Sequence, residues 1–325
     1  MSTWGRVVAS AAVLLFVFLG AQASARSGRV ALTFDDLPGL SILSDQAYVD
    51  DFNRAILRGL QRHHIPATGF VNEGKVDTVD RDRQIADVKR WVDAGMGLGN
   101  HGYSHRSPDD LGTEGYIADI LRGEPVTRGL LGARGGQLRW FRYPYLATGS
   151  SDAAKRAIAI WLVQHGYRVA PVTIDAQDWE FAEPYDDAIA RGDVARQRQI
   201  KTEYLAYTAR RIAWARASAR MLFGRDIAQV MLLHCTRLNA DSIDGIARML
   251  RKAQLRPVSL RQAMRDPAYR RPETYVGKDG PDWLDRWAMA ANKDLPELGD
   301  DDPPADIQAD YDRVDKDRKV AAAAP

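Results

Sequence analysis

Cysteine is nearly absent from this chain, because Cys235 is the only one among its 325 residues. A single thiol excludes an intramolecular disulfide, which a domain of this size does not need. We therefore interpret Cys235 as a small buried apolar residue. A large excess of either charge is also lacking: the net charge is +2 and no dense basic stripe occurs. This composition argues against nucleic acid as a partner.

Long apolar runs are equally scarce, and the most prominent one lies at the N-terminus. Arg6 precedes a run from Val7 to Gly20, and small residues alternate through Ala21–Ala25. This order is typical of a secretory signal peptide, here residues 1–25. An uncleaved anchor is disfavoured because the run is shorter than the roughly 20 residues that span a bilayer. We expect an exported protein, periplasmic or extracellular, with no stable membrane insertion after cleavage.

The remaining chain has the composition of a soluble globular protein, with 45% hydrophobic and 27% charged residues. Short apolar runs alternate with stretches of helical periodicity from about residue 29 to residue 264. This alternation predicts parallel strands joined by crossover helices, in a barrel or an open sheet. Most of the polar residues that could carry chemistry follow strands, and the carboxyl ends of parallel strands form one face of such a fold. We expect a single site there.

Two segments depart from this alternation. Residues from about 184 to 223 are charged and helical in pattern, which predicts a helical insertion packed on the sheet. From about residue 295 the chain is acidic, rich in proline and poor in apolar residues, so we expect residues 295–325 to be disordered. The folded domain is therefore expected to span residues 26–294.

Two adjacent carboxylates, Asp35 and Asp36, end the first apolar strand, and Pro38-Gly39 imposes a turn after them. Neighbouring side chains at a strand end can turn into one cleft. Two unpaired carboxylates resist joint ionisation, so such a pair usually has a cation nearby. An Asp-Asp that only opens a polar loop is the alternative interpretation.

His101 and His105 are four residues apart, so on a helical turn both imidazoles face the same way and can share a metal ion. Either Asp36 or Asp35 could supply a third, oxygen ligand. Two histidines and a carboxylate suit zinc with one position open for water, whose pKa falls to about 7. The carboxylate that is not a ligand would then be the natural general base.

Three further polar residues follow later strands. Arg142 could pair with the free carboxylate and fix its orientation. His234, paired with an acid such as Asp178, could hold a proton near neutral pH and act as a general acid. Each of these residues taken singly is also compatible with a surface or structural role.

Five ordered segments resemble the motifs of the polysaccharide deacetylase family, the carbohydrate esterase group with NodB-like domains. They are Thr33-Phe34-Asp35-Asp36, His101-Gly102-Tyr103-Ser104-His105, Arg142-Tyr143-Pro144-Tyr145, Asp175-Ala176-Gln177-Asp178-Trp179 and Leu232-Leu233-His234. The resemblance extends over about residues 29–264. It implies a distorted (β/α) barrel of about seven parallel strands, here with a helical insertion before the last motif, and metal-dependent hydrolysis of N-acetyl groups on a glycan.

The resemblance also implies a role for each matched residue. A divalent metal, zinc with cobalt, manganese or nickel as alternatives, would be held by Asp36, His101 and His105. Asp35 would be the base that activates water, oriented by Arg142, and His234 would be the acid, with Asp178 tuning its pKa. The remaining implied residues bind substrate: the backbone N–H of Tyr145 at the oxyanion, and the side chains of Trp179 and Leu232 in the groove.

The chain also departs from the family pattern. Gly102 replaces the usual Ser or Thr, so a hydrogen bond that steadies the metal loop is expected to be lost. Tyr143 replaces the common Pro, and Leu146, in place of the common Gly, is expected to narrow the groove. These departures leave open whether the substrate is peptidoglycan, a chitin oligomer, an exopolysaccharide or a small non-glycan amide. A catalytically silent glycan-binding protein on the same fold is the alternative from another class.

Overall fold

The computed structural model describes residues 1, 28–297 and 302–315. The predicted signal peptide lies outside the described residues, apart from Met1. The strands are β1 Gly28–Leu37, β2 Ala67–Val71, β3 Gly97–Asn100, β4 Trp140–Phe141, β5 Arg168–Val169, β6 Ile174–Asp175, β7 Ala228–His234 and β8 Leu255–Pro257. The helices are α1 Gln46–Arg62, α2 Arg81–Asp93, α3 Pro108–Arg122, α4 Pro125–Gly132, α5 Asp152–Gln164, α6 Asp178–Ala190, α7 Val194–Phe223, α8 Arg237–Lys252, α9 Leu260–Ala263, α10 Trp283–Ala291 and α11 Ala305–Val314. Single 3-10 turns cover Glu73–Asp77, Pro144–Leu146 and Pro267–Arg270.

All strands of the described sheet run parallel, in the order β5-β4-β3-β2-β1-β7-β6, with β8 paired to the start of β1. The central strands β1, β2 and β7 are almost wholly buried along their length. Strands buried on both faces read as continuous apolar runs, which is why the sequence revealed them. The predicted parallel architecture is confirmed.

The sheet curls into a barrel because its two end strands are neighbours in the chain. Only residues 170–173 separate β5 from β6, a span of at most about 17 Å when fully extended. The backbone N–H of Ala170 bonds Phe141 in β4, and that of Thr173 bonds Val230 in β7. The chain thus crosses from one end of the sheet to the other, and the distorted barrel predicted from the motifs is confirmed.

The helices bury the faces that their apolar periodicity indicated. In α1, Phe52, Ile56 and Leu60 are fully buried against the sheet side of the core. Asp45 caps this helix by accepting hydrogen bonds from the N–H groups of Ala47 and Tyr48. The apolar spacing and the Asp45 cap were therefore sufficient to predict helix α1 from the sequence.

The helical insertion begins earlier than predicted. Helix α6 already starts at Asp178 and contains Pro184, the residue at which the sequence pattern suggested a boundary. Proline normally interrupts a helix because it lacks an N–H donor. Here Phe181 and Tyr185 on either side of it are buried in the main core, and packing outweighs local propensity.

The prediction of a wholly disordered tail from residue 295 is wrong for the described part of that tail. Helix α11 packs there with Ile307 fully buried. Arg196 of α7 bonds Asp310 at 3.0 Å and Asp306 at 2.8 Å. The acidic residues that suggested disorder therefore have cationic partners, which composition alone cannot reveal.

Membrane spanning requires a long apolar helix. None of the helices within residues 28–297 and 302–315 has both the length and the apolar character to cross a bilayer.

Candidate active site

The two carboxylates at the end of β1 face one cleft. Consecutive residues of a regular strand point to opposite faces of a sheet, but Asp36 has a left-handed φ of 63°, which turns its side chain back. The Nε2 atom of His101 consequently lies 3.8 Å from an oxygen of Asp35 and 3.8 Å from Oδ1 of Asp36. The backbone turn, rather than the strand, brings both acids together.

Asp36, His101 and His105 form a cluster with the geometry of a metal site. Their ligand atoms all lie within 4.8 Å of one another, and Nε2 of His105 is 3.4 Å from Oδ1 of Asp36. That Oδ1 atom is buried, and none of the described residues donates a hydrogen bond to it. A buried oxygen without a donor, facing two imidazole nitrogens, fits a divalent cation.

His101 is oriented for this role by the backbone. Its Nδ1 atom lies 2.9 Å from the carbonyl oxygen of Arg142. A carbonyl oxygen only accepts, so Nδ1 carries the proton and the lone pair of Nε2 faces Asp36. The tautomer suits a metal ligand.

The charge states of the cluster also suit a cation. Burial alone would raise the pKa of Asp36, but the neighbouring His105, Lys75 and His101 hold that pKa well below its usual range. Burial lowers the pKa of His105 to about 3, even though Asp36 opposes this. Asp36 is therefore ionised and His105 neutral at pH 7, as metal ligands must be.

The loop from His101 to His105 is held by a residue that the sequence did not suggest. The Asp119 carboxylate of α3 accepts hydrogen bonds from the N–H groups of Tyr103 at 2.9 Å and Ser104 at 3.1 Å. Gly102 has a φ of 72°, and a Cβ there would lie 2.9 Å from Asp119. Glycine thus permits the contact that steadies the loop, which offsets the hydrogen bond expected to be lost.

Arg142 is fully buried and contacts Asp35 directly. Its Nη1 atom lies 3.1 Å and 3.3 Å from the two carboxylate oxygens, and Nη2 donates to the hydroxyl of Thr33 at 3.1 Å. Nε donates to the carbonyl of Ala170 at 2.8 Å. A guanidinium with this many fixed acceptors holds the Asp35 carboxylate in one orientation.

His234 and Asp178 form a second acid–imidazole pair across the cleft. Nδ1 of His234 lies 2.8 Å from Asp178, which also accepts from the backbone N–H of His234 at 2.6 Å. Burial would lower the pKa of His234, but the charge and hydrogen bond of Asp178 raise it to about 9. His234 is therefore protonated at neutral pH.

Two further residues support the His234–Asp178 pair, and the sequence did not predict either of them. Asn239 of α8 donates to Asp178 and to the carbonyl of His234. Tyr204 of α7 donates to Asn239 at 2.7 Å. Tyr204, from the helical insertion, thus supports the carboxylate of Asp178 through Asn239. No local signal marks either residue, because each acts through a contact with a distant part of the chain.

The three residues expected to bind substrate lie in different settings. Tyr145 has a left-handed φ of 55°, its residue is 62% exposed, and its ring lies 4.6 Å from that of His105. Leu232 is buried in β7, on the same face as His234. Trp179 is half-buried, with its ring 5.1 Å from Tyr311 of α11. The tail helix therefore packs against Trp179, one of the residues expected to bind substrate.

The loop that carries Tyr145 is supported by a segment beyond the last motif. The buried Arg286 of α10 donates to the carbonyl of Leu146 at 2.5 Å and to Thr148 at 3.2 Å. A Cβ at Gly280 would lie 1.8 Å from the carbonyl oxygen of Tyr145, so only glycine fits this approach. No pattern in the sequence predicts this support of the Tyr145 loop.

Lys75 is a further residue that the sequence analysis missed. Its Nζ atom lies 3.2 Å from Oδ2 of Asp36, the oxygen that does not face the histidines. The lysine comes from the 3-10 turn Glu73–Asp77, which follows β2. It adds a cation beside the Asp36–His101–His105 cluster.

The chain is similar to curated deacetylases over part of its length. One is a peptidoglycan-N-acetylglucosamine deacetylase of Bacillus cereus, 27% identical over 154 residues, which are 46% of each protein. Another is a chitin deacetylase of Arthroderma benhamiae, 27% identical over 159 residues, 49% of this chain and 37% of the relative. The chain thus spans less than half the length of these relatives.

The fold comparison agrees with the sequence comparison. The Bc1960 peptidoglycan N-acetylglucosamine deacetylase aligns at a TM-score of 0.50 and 21% identity, covering 74% of this chain and 89% of that one. At this identity the likeness concerns the fold. A family model described as polysaccharide deacetylase matches residues 22–170, which include the first three motifs. The resemblance of the motifs to the polysaccharide deacetylase family is thereby confirmed over residues 22–170 of this chain.

Proposed function

We propose that this protein is a metal-dependent hydrolase that removes N-acetyl groups from a glycan. One observation carries the proposal: the Asp36–His101–His105 cluster lies in the same cleft as the Arg142-bound Asp35 and the protonated His234. Amide hydrolysis needs an electrophilic centre, a base and an acid around one carbon atom. The relatives' names point the same way, since they describe deacetylases of peptidoglycan and chitin.

Asp36, His101 and His105 would hold the metal through one oxygen and two Nε2 atoms. A divalent cation bound there supplies a Lewis acid and lowers the pKa of water to about 7. Two imidazoles and one carboxylate favour zinc, and cobalt, manganese or nickel are accommodated by the same ligands. Asp36 contributes one negative charge, so an added cation is not neutralised by its ligands.

Asp35 would accept the proton of the attacking water. Its carboxylate is fixed by Arg142 at 3.1 Å and 3.3 Å and lies 3.8 Å from Nε2 of His101. Arg142 is bonded to backbone and hydroxyl acceptors as well, so Asp35 does not need to reorganise during the reaction. The backbone N–H of Tyr145 would donate to the oxyanion.

His234 would deliver a proton to the departing amine as the carbon–nitrogen bond breaks. Its Nδ1–H bonds Asp178, so Nε2 is the atom that carries the mobile proton. The products are acetate and a free amino sugar, with the amine protonated by His234. Leu232 and Trp179 would line the groove on this side.

We propose further that the enzyme acts outside the cytoplasm, in the periplasm or extracellularly, on an N-acetylated glycan. The N-terminal apolar run supports export. The domain division is proposed on the same basis: a signal peptide at 1–25 and a deacetylase domain from residue 26.

Acetate release from a panel of N-acetylated glycans tests the proposal. We expect acetate with added zinc and none after chelation. Asp35→Asn should keep the bound metal and lose at least about a hundredfold in kcat, the contribution of a general base. Asp109→Asn, an exposed acid that accepts from Ser150, is the control and should match the wild type. Circular dichroism checks that each variant folds.

Other outcomes identify the alternatives. Acetate released from small amides but not from glycans would favour a non-glycan amidase on the same site. Glycan bound by the metal-loaded protein without any product would favour a silent binding protein and would contradict the proposal.

A further inference from the structure

The two oxygens of Asp36 have different neighbours. Oδ1 faces the imidazoles of His101 and His105, whereas Oδ2 accepts from the ammonium of Lys75 at 3.2 Å. We propose that Lys75 is a positioning residue that restricts Asp36 to one-oxygen ligation and keeps the bound metal electrophilic. This inference rests on the metal site of the proposed function.

The backbone of Lys75 is fixed relative to the histidine loop. The N–H groups of Glu73 and Gly74 bond the carbonyls of Gly102 and Tyr103 at 3.3 Å and 3.0 Å. A Cβ at Gly74 would lie 2.2 Å from the carbonyl oxygen of Tyr103, so the turn approaches the loop as closely as glycine allows. The lysine and the histidines therefore share one rigid unit.

The turn is also anchored from its other side. The buried carboxylate of Glu73 accepts from the N–H groups of Val126 at 3.1 Å and Thr127 at 2.7 Å, at the start of α4. Such a carboxylate is well placed at a helix N-terminus. Lys75 thus extends from a turn that is held at both ends, and its side chain is only partly exposed.

Each of the two carboxylates at the end of β1 has its own cation. Arg142 bonds Asp35, and Lys75 bonds Asp36. The four charges sum to zero before any metal binds, so the charge of the metal itself stays uncompensated and is available to polarise a carbonyl. Without Lys75 the site would have a net negative charge, and Oδ2 of Asp36 could turn to the metal as a second ligand atom.

Removal of Lys75 should therefore tighten metal binding while weakening catalysis. A lysine that only holds Asp36 in place would have the opposite effect on metal binding, because a loosened ligand binds more weakly. Metal affinity thus distinguishes the two roles without reference to turnover.

The experiment compares Lys75→Met with the wild type, by zinc and cobalt titration against a competing chelator. We expect about tenfold tighter zinc binding in Lys75→Met, since a positive charge beside a divalent ion is lost. The visible absorption of the cobalt-loaded variant should weaken as a ligand atom is added. Its kcat should fall at least about tenfold, as expected when the metal is less electrophilic, with KM within about twofold.

Two variants serve as controls. Lys75→Arg keeps the charge and should restore wild-type zinc affinity. Lys89→Met removes another ion-paired lysine, 2.6 Å from Asp93 on the exposed face of α2, and should change neither affinity nor kcat. Zinc binding in Lys75→Met that is equal to or weaker than in the wild type would overturn the inference. Equal zinc binding by the wild type and His101→Ala would instead overturn the metal site itself.

Discussion

The two sides of the cleft use buried imidazoles for opposite purposes. On the side of the Asp36–His101–His105 cluster, burial lowers the pKa of His105 to about 3. On the other side, Asp178 raises the pKa of His234 to about 9 against the effect of burial. Both histidines have a carboxylate nearby, Asp36 at 3.4 Å and Asp178 at 2.8 Å. Proximity of an acid therefore does not by itself decide the charge of a histidine.

The difference comes from the remaining neighbours. Asp36 lies near two other groups besides His105, namely His101 and Lys75. Its single negative charge is therefore shared among three partners and stabilises a proton on His105 less. Asp178 accepts from both the ring and the backbone N–H of His234. The arrangement around His105 keeps the imidazole neutral, with a lone pair available to a cation. The arrangement around His234 keeps that imidazole protonated.

The largest effect should follow from removing a metal ligand. His101→Ala deletes one nitrogen of the cluster, so we expect loss of stoichiometric metal and a fall in kcat of at least about a thousandfold, as the loss of the Lewis acid implies. Metal analysis and acetate release measure both. His165→Ala is the control, because His165 is an exposed residue at the end of α5 whose ring bonds the carbonyl of Trp161 and stacks on its indole. Unchanged metal content in His101→Ala would contradict the ligand assignment.

An intermediate effect should follow from removing the acid behind His234. Asp178→Asn removes the negative charge that outweighs the effect of burial on His234. The pKa of His234 should therefore fall from about 9 to below 6.5. The alkaline limb of the pH–rate profile should then move to lower pH, and kcat at pH 8 should fall about a hundredfold. NMR titration of the imidazole and kinetics between pH 5 and 10 measure the shift.

The same shift has a consequence for stability. The raised pKa of His234 stabilises the wild type below pH 6.5, and this contribution is lost as the pH rises from 6.5 to about 9. Asp178→Asn should lack that part of the pH dependence. Asp244→Asn, at the exposed pair with His63, is the matched control and should leave both profiles unchanged. An unchanged alkaline limb in Asp178→Asn would remove His234 from the role of acid.

The smallest effect should come from the tail. Tyr311→Ala removes the ring that packs on Trp179, a contact worth about 1 kcal/mol. We expect KM to change a few-fold while kcat remains within about twofold, because Tyr311 contacts Trp179, which is proposed to line the groove, and none of the groups proposed to act on the amide. Thermal unfolding and kinetics on oligomers of increasing length measure the effect. If Trp179→Ala raises KM and Tyr311→Ala does not, the tail does not shape the groove.

Local pattern and topology were sufficient to predict much of the site. Buried strands are recognisable as apolar runs, and parallel strands bring their carboxyl ends to one face. These two patterns predicted that Asp35, Asp36, His101, His105 and Arg142 would meet at one face, and the resemblance to the family motifs implied that Asp36 joins the histidines and that Arg142 contacts Asp35. The contact of His234 with Asp178 was foreseen in the same way.

The supporting residues could not be predicted in this way. Lys75, Asp119 and Asn239 lie in segments without any special pattern, and each acts through a contact with a distant part of the chain. The tail shows the same limitation. Its acidic composition predicts disorder, and only the tertiary structure shows that Arg196 lies beside Asp306 and Asp310.

The sequence alone was enough to establish the strand order along the chain and the residue types that meet at the carboxyl edge, because both depend on local periodicity. The tertiary structure decided which oxygen of Asp36 faces the histidines, which histidine is neutral and which is charged, and what covers Trp179. These properties depend on distances of 3 to 4 Å between residues far apart in the chain, where desolvation and single charges outweigh intrinsic pKa values and local propensity.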